Sequence, residues 1–299
     1  MPDPLADALA REDLTAEARR KLGNVRDVLA ADPQARLLSL FFLGPEPYAS
    51  VAFGDLDRAE AISVVMHGID TDLAQFPAWA DSARRLCADA IRASTLRGGS
   101  GRIATVIWFC YDSGTHVTAL ATKHATIGAG RLAVDLDRLA ALRPNGPGSR
   151  GPRIAVLAYS YSSTLFGELV LLGGAGPVDA AFSIASAGMT RIAADAVAEL
   201  IEEGSLVFYV TESSTDTTAP LGRLGAHPID PRDIDGAIVY GSDGGPIPGL
   251  DGYHGKATDG HASQTSVDEH GHARRGYFDP QAQAYLFAVE RLADLVQDA

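Results

Sequence analysis

The sequence predicts an α/β fold, a mostly parallel central sheet with an antiparallel N-terminal edge and helices on both faces. Three observations predict it. From Ile62 onward, short β-branched runs alternate with helical patterns. Ahead of them, two apolar runs are separated by a short stretch with Gly44-Pro45-Glu46-Pro47, a turn and not a crossover. No internal repeat or interdomain linker interrupts the alternation. A length of 299 residues allows one large core or two modest ones. The unbroken pattern favours one domain over 36–299, with residues 1–35 as a helical segment packing on it.

The elements follow in order. Leu14, Ala18, Leu22, Val25 and Leu29 recur at helical spacing over about 12–30. Leu37 to Leu43 and Val51 to Phe53 are the paired edge strands, and Ile62 to Met66 is the first central strand. A helix follows, with Phe76, Trp79, Ala80, Ala83, Leu86, Cys87 and Ala90 on one face. Ile103 to Phe109 is a second buried strand, and 117–142 is mostly helical, interrupted near Gly128 and Gly130. Strands at 154–158, 180–184 and 206–210 alternate with helices at 165–172 and 192–201, and 238–240 is a last strand. The chain closes on a helix carrying Tyr285, Leu286, Val289, Leu292 and Val296. Pro144 to Pro152 is a loop leading into a strand. The stretch from Gly241 to Gly276, rich in Gly, His and Asp and without apolar periodicity, is expected to be one long loop. Such loops are usually functional or mobile.

Composition narrows the function. With 25 basic and 38 acidic side chains the net charge is −13, which disfavours a nucleic-acid binder that must neutralise phosphates. No run reaches the roughly 20 apolar residues of a membrane span. Met1-Pro2-Asp3-Pro4 opens no secretory signal. Cys87 and Cys110 form no disulfide framework and no CxxC pair; as buried thiols they fit a reducing cytoplasm. No motif calls for a cofactor, and the expected partner is a small-molecule acyl substrate.

The chemistry centres on Ser160. The strand 154–158 runs directly into Tyr159-Ser160-Tyr161-Ser162-Ser163, and a helix follows. A nucleophilic serine at a sharp strand-to-helix turn needs small residues two before and two after it. Ala158 and Ser162 meet that steric need without being glycine. The competing reading is a serine-rich turn in which Ser162 or Ser163 caps the helix. Met66-His67-Gly68-Ile69 ends the first central strand, where a backbone N–H of Ile69 and that of Tyr161 would form an oxyanion hole. Past the strand at 206–210 comes Thr211-Glu212-Ser213-Ser214-Thr215-Asp216, with Asp216 as the expected acid and Glu212 in reserve. The base should precede the last helix. His272 stands nearest to it and is preferred, with His261 and His270 as alternatives, and Asp279 is a candidate cap for that helix. His67, Gly68, Tyr159, Trp108 and Tyr111 are candidates for the substrate pocket, because they follow strand carboxyl ends.

The order Ser, Asp, His is that of the α/β-hydrolases, and the resemblance extends to particular segments. Val51-Ala52-Phe53-Gly54-Asp55-Leu56-Asp57, Trp108-Phe109-Cys110-Tyr111-Asp112, the serine turn and Gly276-Tyr277-Phe278-Asp279-Pro280 resemble an actinobacterial family of these hydrolases. In that family the turn reads G-H-S-Y-G-S; here it is Ala158-Tyr159-Ser160-Tyr161-Ser162-Ser163. The resemblance covers roughly residues 35–297. It implies a three-layer α/β-hydrolase fold and a serine hydrolase with a Ser-Asp-His triad, and names no substrate. Two alternatives stay open. One is a binding protein on the same fold with a degenerate serine turn. The other is a metal site on the loop, from His270 and His272 with His254, His261, Asp259 and Asp268 nearby.

Overall fold

The computed structural model describes residues 3–142, 151–267 and 269–296. Helices α1 (Pro4–Leu9) and α2 (Ala16–Ala31) lead into strands β1 (Arg36–Leu43) and β2 (Glu46–Phe53). Then β3 (Ala61–Met66), α3 (Phe76–Leu96), β4 (Ile103–Phe109), α4 (Lys123–Ala140), β5 (Arg153–Tyr159) and α5 (Ser162–Leu171) alternate. They are followed by β6 (Val178–Ile184), α6 (Arg191–Glu202), β7 (Val207–Thr211), α7 (Ala219–Gly222) and β8 (Ile238–Val239). Two short hairpins, β9 (Asp243–Ile247) with β10 (Leu250–Ala257) and β11 (Ser266–Val267) with β12 (Ala273–Arg274), precede α8 (Gln283–Asp294). The main sheet has eight strands in the order β1-β2-β4-β3-β5-β6-β7-β8. β1, β2 and β4 pair antiparallel; every pair from β4 through β3 to β8 is parallel. The expected layered fold with its antiparallel edge is the one observed.

The central strands are continuous apolar runs because both faces are covered. Val65, Ile107 and Leu157 pack toward α2, α3 and α8, against Leu22, Phe76, Leu86 and Leu292. Their chain neighbours Val64, Val106 and Val156 face α4, α5 and α6, against Leu132, Leu165, Phe166 and Val197. Two core layers result from the period-two alternation of one set of strands. Leu22 and Val25 of α2 are fully buried in the first layer, and Thr15 caps that helix through a bond from the Ala18 N–H (3.0 Å).

Two expectations are corrected, and a third falls mostly outside the described residues. Gly128 and Gly130 do not interrupt a helix. They lie inside α4, and a Cβ on Gly128 would stand 2.5 Å from Leu165 Cδ1 and 3.0 Å from Tyr111 Cβ. The glycine lets α4 close on α5. Residues 241–276 are not one loop, because backbone pairing builds two hairpins without apolar alternation. Of the loop expected at 144–152, residues 144–150 lie outside the described residues. No helix among the described residues is long and apolar enough to cross a membrane.

Candidate active site

Parallel register brings the carboxyl ends of β3, β5, β6 and β7 to one edge: Met66 is level with Ala158, Tyr159 with Ile184, and Ile184 with Thr211. Strain collects there. Among the described residues, the non-glycine residues with positive φ are Asp70 (50°), Ser160 (57°) and Ala185 (52°). Each lies just past the end of one of these strands. Such a conformation costs about 1–3 kcal/mol and persists only where its surroundings fix it. At Ser160 the fixing is visible, because its N–H donates to Ile184 O (2.8 Å) and its carbonyl accepts from Ser163 N–H (3.0 Å).

Close approach explains the small residues around this turn. A Cβ on Gly68 would be 3.0 Å from Ser160 Cβ and 3.3 Å from the Tyr159 ring. Ser162 and Ser163 do not cap α5, whose first turn has no side-chain cap. Their hydroxyls turn back and donate to Tyr159 O (2.8 Å) and Ala158 O (3.1 Å). A buried hydroxyl is therefore accommodated where the resembled family carries glycine, because a strand-end carbonyl accepts its proton.

Ser160 Oγ is 2.9 Å from His261 Nε2, and His261 Nδ1 is 2.8 Å from Asp216 Oδ2. The histidine at the serine is thus His261 and not His272. His272 is exposed between β11 and β12, its ring 6.2 Å from that of His270. Nearness in sequence to the last helix is not nearness to the serine, because the β11–β12 hairpin intervenes. His261 is held from several sides. Its carbonyl accepts from the Tyr159 hydroxyl, the Gly260 N–H donates to Thr215 Oγ1 (2.9 Å), and Tyr277 N–H donates to Ala262 O (2.9 Å).

Asp216 is buried and saturated. Oδ1 accepts from the N–H groups of Thr218 and Ala219, both at 3.0 Å, and Oδ2 accepts from the Tyr277 hydroxyl (3.2 Å) as well as from His261. Burial pushes its pKa up, but the bonds from His261 and the two amides outweigh burial and hold it below the ordinary carboxylate value. Tyr277, which the sequence singled out only as part of a segment, also accepts from Ser213 N–H (2.7 Å), so its proton points at Asp216. Burial pushes the phenol pKa well up, keeping it a donor. Glu212, the reserve acid, lies outside this chain of bonds, paired with Arg223 and Arg232.

The space in front of Ser160 is a cavity of about 440 Å³ lined by Gly68, Ile69, Thr71, Trp79, His116, Tyr159, Thr218, His261 and residues 262–266. Gly68 and Tyr159 are on it as expected, while His67, Trp108 and Tyr111 are not. His67 is buried between the rings of Phe109 (4.3 Å) and Tyr111 (4.6 Å), and burial lowers its pKa to about 4. Tyr111 donates to His67 O (2.7 Å), and Trp108 stacks on Tyr111 and donates to Asp135 (2.9 Å) on α4. These rings support the 67–69 loop from below. His116, paired with Asp70, and Trp79 are lining residues that the sequence reading missed; Trp79 gave only a core-helix signal. Among the described residues neither the Ile69 nor the Tyr161 amide has a protein acceptor. No group of three or more metal-ligating side chains is found among the described residues, and Asp268 lies outside them.

A family model described as alpha/beta hydrolase matches residues 45–226, more than half of the chain. No curated protein matches the sequence. Similar solved structures include an arylesterase, 11% identical over 99% of this chain and 100% of that chain, with a TM-score of 0.46. A dienelactone hydrolase from Anabaena variabilis is 13% identical over 89% of this chain and 98% of that one, with a TM-score of 0.43. An esterase domain from a Rhodothermus marinus protein is 10% identical over 89% and 99%, with a TM-score of 0.44. By the match over residues 45–226, the chain belongs to the alpha/beta hydrolase family.

Proposed function

We propose that the protein is a serine hydrolase that cleaves an acyl ester through Ser160, His261 and Asp216 and a covalent acyl-enzyme. One observation carries the reading: the bonded series Ser160 Oγ, His261, Asp216, at 2.9 and 2.8 Å, with the serine held at φ 57°. His261 Nε2 accepts the Ser160 proton as Oγ bonds to the ester carbonyl carbon. The N–H groups of Tyr161 and Ile69 hold the carbonyl oxygen as it becomes an oxyanion, each worth roughly 3–4 kcal/mol in the transition state. Collapse breaks the ester C–O bond, and His261 returns the proton to the departing alcohol. Water then gives a proton to His261 and its oxygen to the acyl carbon, and the proton returns to Ser160 as the acid leaves. Asp216, ionised and saturated by donors, fixes the imidazole with Nδ1–H toward itself and stabilises the imidazolium. The buried free thiols Cys87 and Cys110 fit a reducing compartment such as the cytoplasm.

A fluorophosphonate probe tests the proposal. Labelling of the wild-type protein that vanishes in Ser160→Ala supports it. A folded wild-type protein that takes no label, or a Ser160→Ala variant that labels equally, removes it.

A further inference from the structure

A charged side chain, Lys21, is buried on α2 beside Ala18, Leu22 and Val25. It is 5% exposed, and its ammonium stands 2.6 Å from Glu46, 2.9 Å from Asp72 and 3.6 Å from Glu17. Burial pushes the ammonium pKa down, but its bonds to Glu46 and Asp72 outweigh burial and keep it charged. Nearly one turn on, Asn24 Nδ2 donates to Leu73 O (2.9 Å) and Ala74 O (3.3 Å). Two side chains of α2 therefore grip one short segment, 72–74. An apolar side chain packed at a buried position is often at least as stabilising as an ion pair. Fold stability alone therefore does not account for a lysine here. What an ammonium does, and a methyl group cannot, is fix the place of a carboxylate.

The gripped segment leads back to the serine. Leu73 is 1% exposed in the same core layer as Leu22. Ahead of Asp72, Thr71 Oγ1 donates to Ile69 O (3.0 Å), and Asp70 holds its φ of 50°. Gly68, Ile69 and Thr71 all line the Ser160 cavity. A strained residue keeps its conformation only where its surroundings fix it. On one side the Asp70 N–H donates to Gly114 O (3.2 Å). On the other side the hold comes from α2, a helix that precedes the family match at residues 45–226.

We propose that Lys21 and Asn24 are positioning residues that hold the Ile69 amide in place at Ser160. The N-terminal helix is then part of the candidate site and not only a covering for the sheet. The inference rests on the acyl-ester reading above, in which that amide receives the oxyanion.

The test is steady-state hydrolysis of p-nitrophenyl acetate. Removing one oxyanion donor costs about 10²–10³ in kcat, and a donor loosened in place should cost a part of that. In Lys21→Met, Asp72→Asn and Asn24→Ala, kcat should fall on the order of tenfold with KM within about twofold of wild type. That split marks an interaction made in the transition state. The double variant Lys21→Met, Asp72→Asn should fall no further than the lower single variant, because one contact is lost in each. Glu46→Gln takes a partner from Lys21 on β2 and leaves the 69–74 segment alone. It should lower the melting temperature and keep kcat within about twofold.

A folded Asp72→Asn and Asn24→Ala with wild-type kcat overturn the proposal and leave the hydrolase reading standing. A rise in KM at unchanged kcat does the same, as does an equal fall of kcat in Glu46→Gln. If Lys21→Met does not fold, Asn24→Ala and Asp72→Asn, the latter with a side chain 43% exposed, decide the matter. Wild-type protein that neither hydrolyses the ester nor takes a fluorophosphonate label removes both readings.

Discussion

The two sides of the candidate site are built by different forces. The serine side is packing. Ser160 sits at the end of a strand buried on both faces, Gly68 is small because Ser160 Cβ and the Tyr159 ring lie against it, and Ala158 and Ser162 are themselves buried. The histidine side is hydrogen bonding. His261 lies between two short hairpins and is located by the Tyr159 hydroxyl, the Gly260 amide and the 277–278 backbone. Packing writes a periodic signal into sequence; scattered polar contacts do not. The difference decides which half of a site can be read before the fold is known.

Exchanging histidines gives the largest test of this contrast. Ser160→Ala and His261→Ala should each lower kcat/KM on the order of 10⁴-fold or more, as residues that act as one unit do. His272→Ala should stay within about twofold of wild type, measured with the same ester. A large loss in His272→Ala would mean that the hydrogen-bonded side is arranged differently.

Gly68→Ala probes the packed side. Its new Cβ, 3.0 Å from Ser160 Cβ, must displace the strained turn, so activity should fall by about ten- to a hundredfold. Thermal unfolding should show a loss of about 1–3 kcal/mol. Full activity would show that the turn has slack.

A pH titration sharpens the comparison beneath the loop. Burial holds the His67 pKa at about 4, so below the unfolded value of 6.5 only the unfolded chain gains a proton. Stability present above pH 6.5 should decline as pH falls, by roughly 3 kcal/mol by pH 4. Denaturant unfolding of His67→Phe should lack this component. Asp216, whose folded pKa is depressed, acts in a lower window. Its contribution is present above its unfolded pKa and is lost only as pH falls through the folded value.

Among the residues bonded to one another around Ser160, Tyr277→Phe should have the smallest effect. It removes the hydroxyl shared by Ser213 N–H and Asp216, which should cost about 1–2 kcal/mol in stability and less than about tenfold in kcat/KM. A loss as large as that of His261→Ala would make the phenol part of the proton chemistry.

Much of this was legible in the sequence. The edge strands, the parallel strands and the helices answer to alternation and to 3.6-residue spacing. Ser160, the 67–69 loop and Asp216 follow from strand ends, which a linear reading can count. Trp108 and Tyr111 were misplaced by the same logic. Following a strand end puts a residue at the correct edge but does not say whether it faces the cavity or supports the loop beneath.

By itself the sequence determined the order of the main-sheet strands and the helices between them, the strand-to-helix turn at Ser160 and the place of Asp216 past a strand end, because each depends on neighbours within a few residues. Tertiary structure alone decided which histidine meets the serine. Ser160 and His261 are 101 residues apart, and their meeting depends on two hairpins that pair through backbone groups common to every residue. It depends also on the Tyr159 hydroxyl catching one particular carbonyl. Backbone hydrogen bonds carry no side-chain signature, so their outcome becomes visible only when the chain is folded.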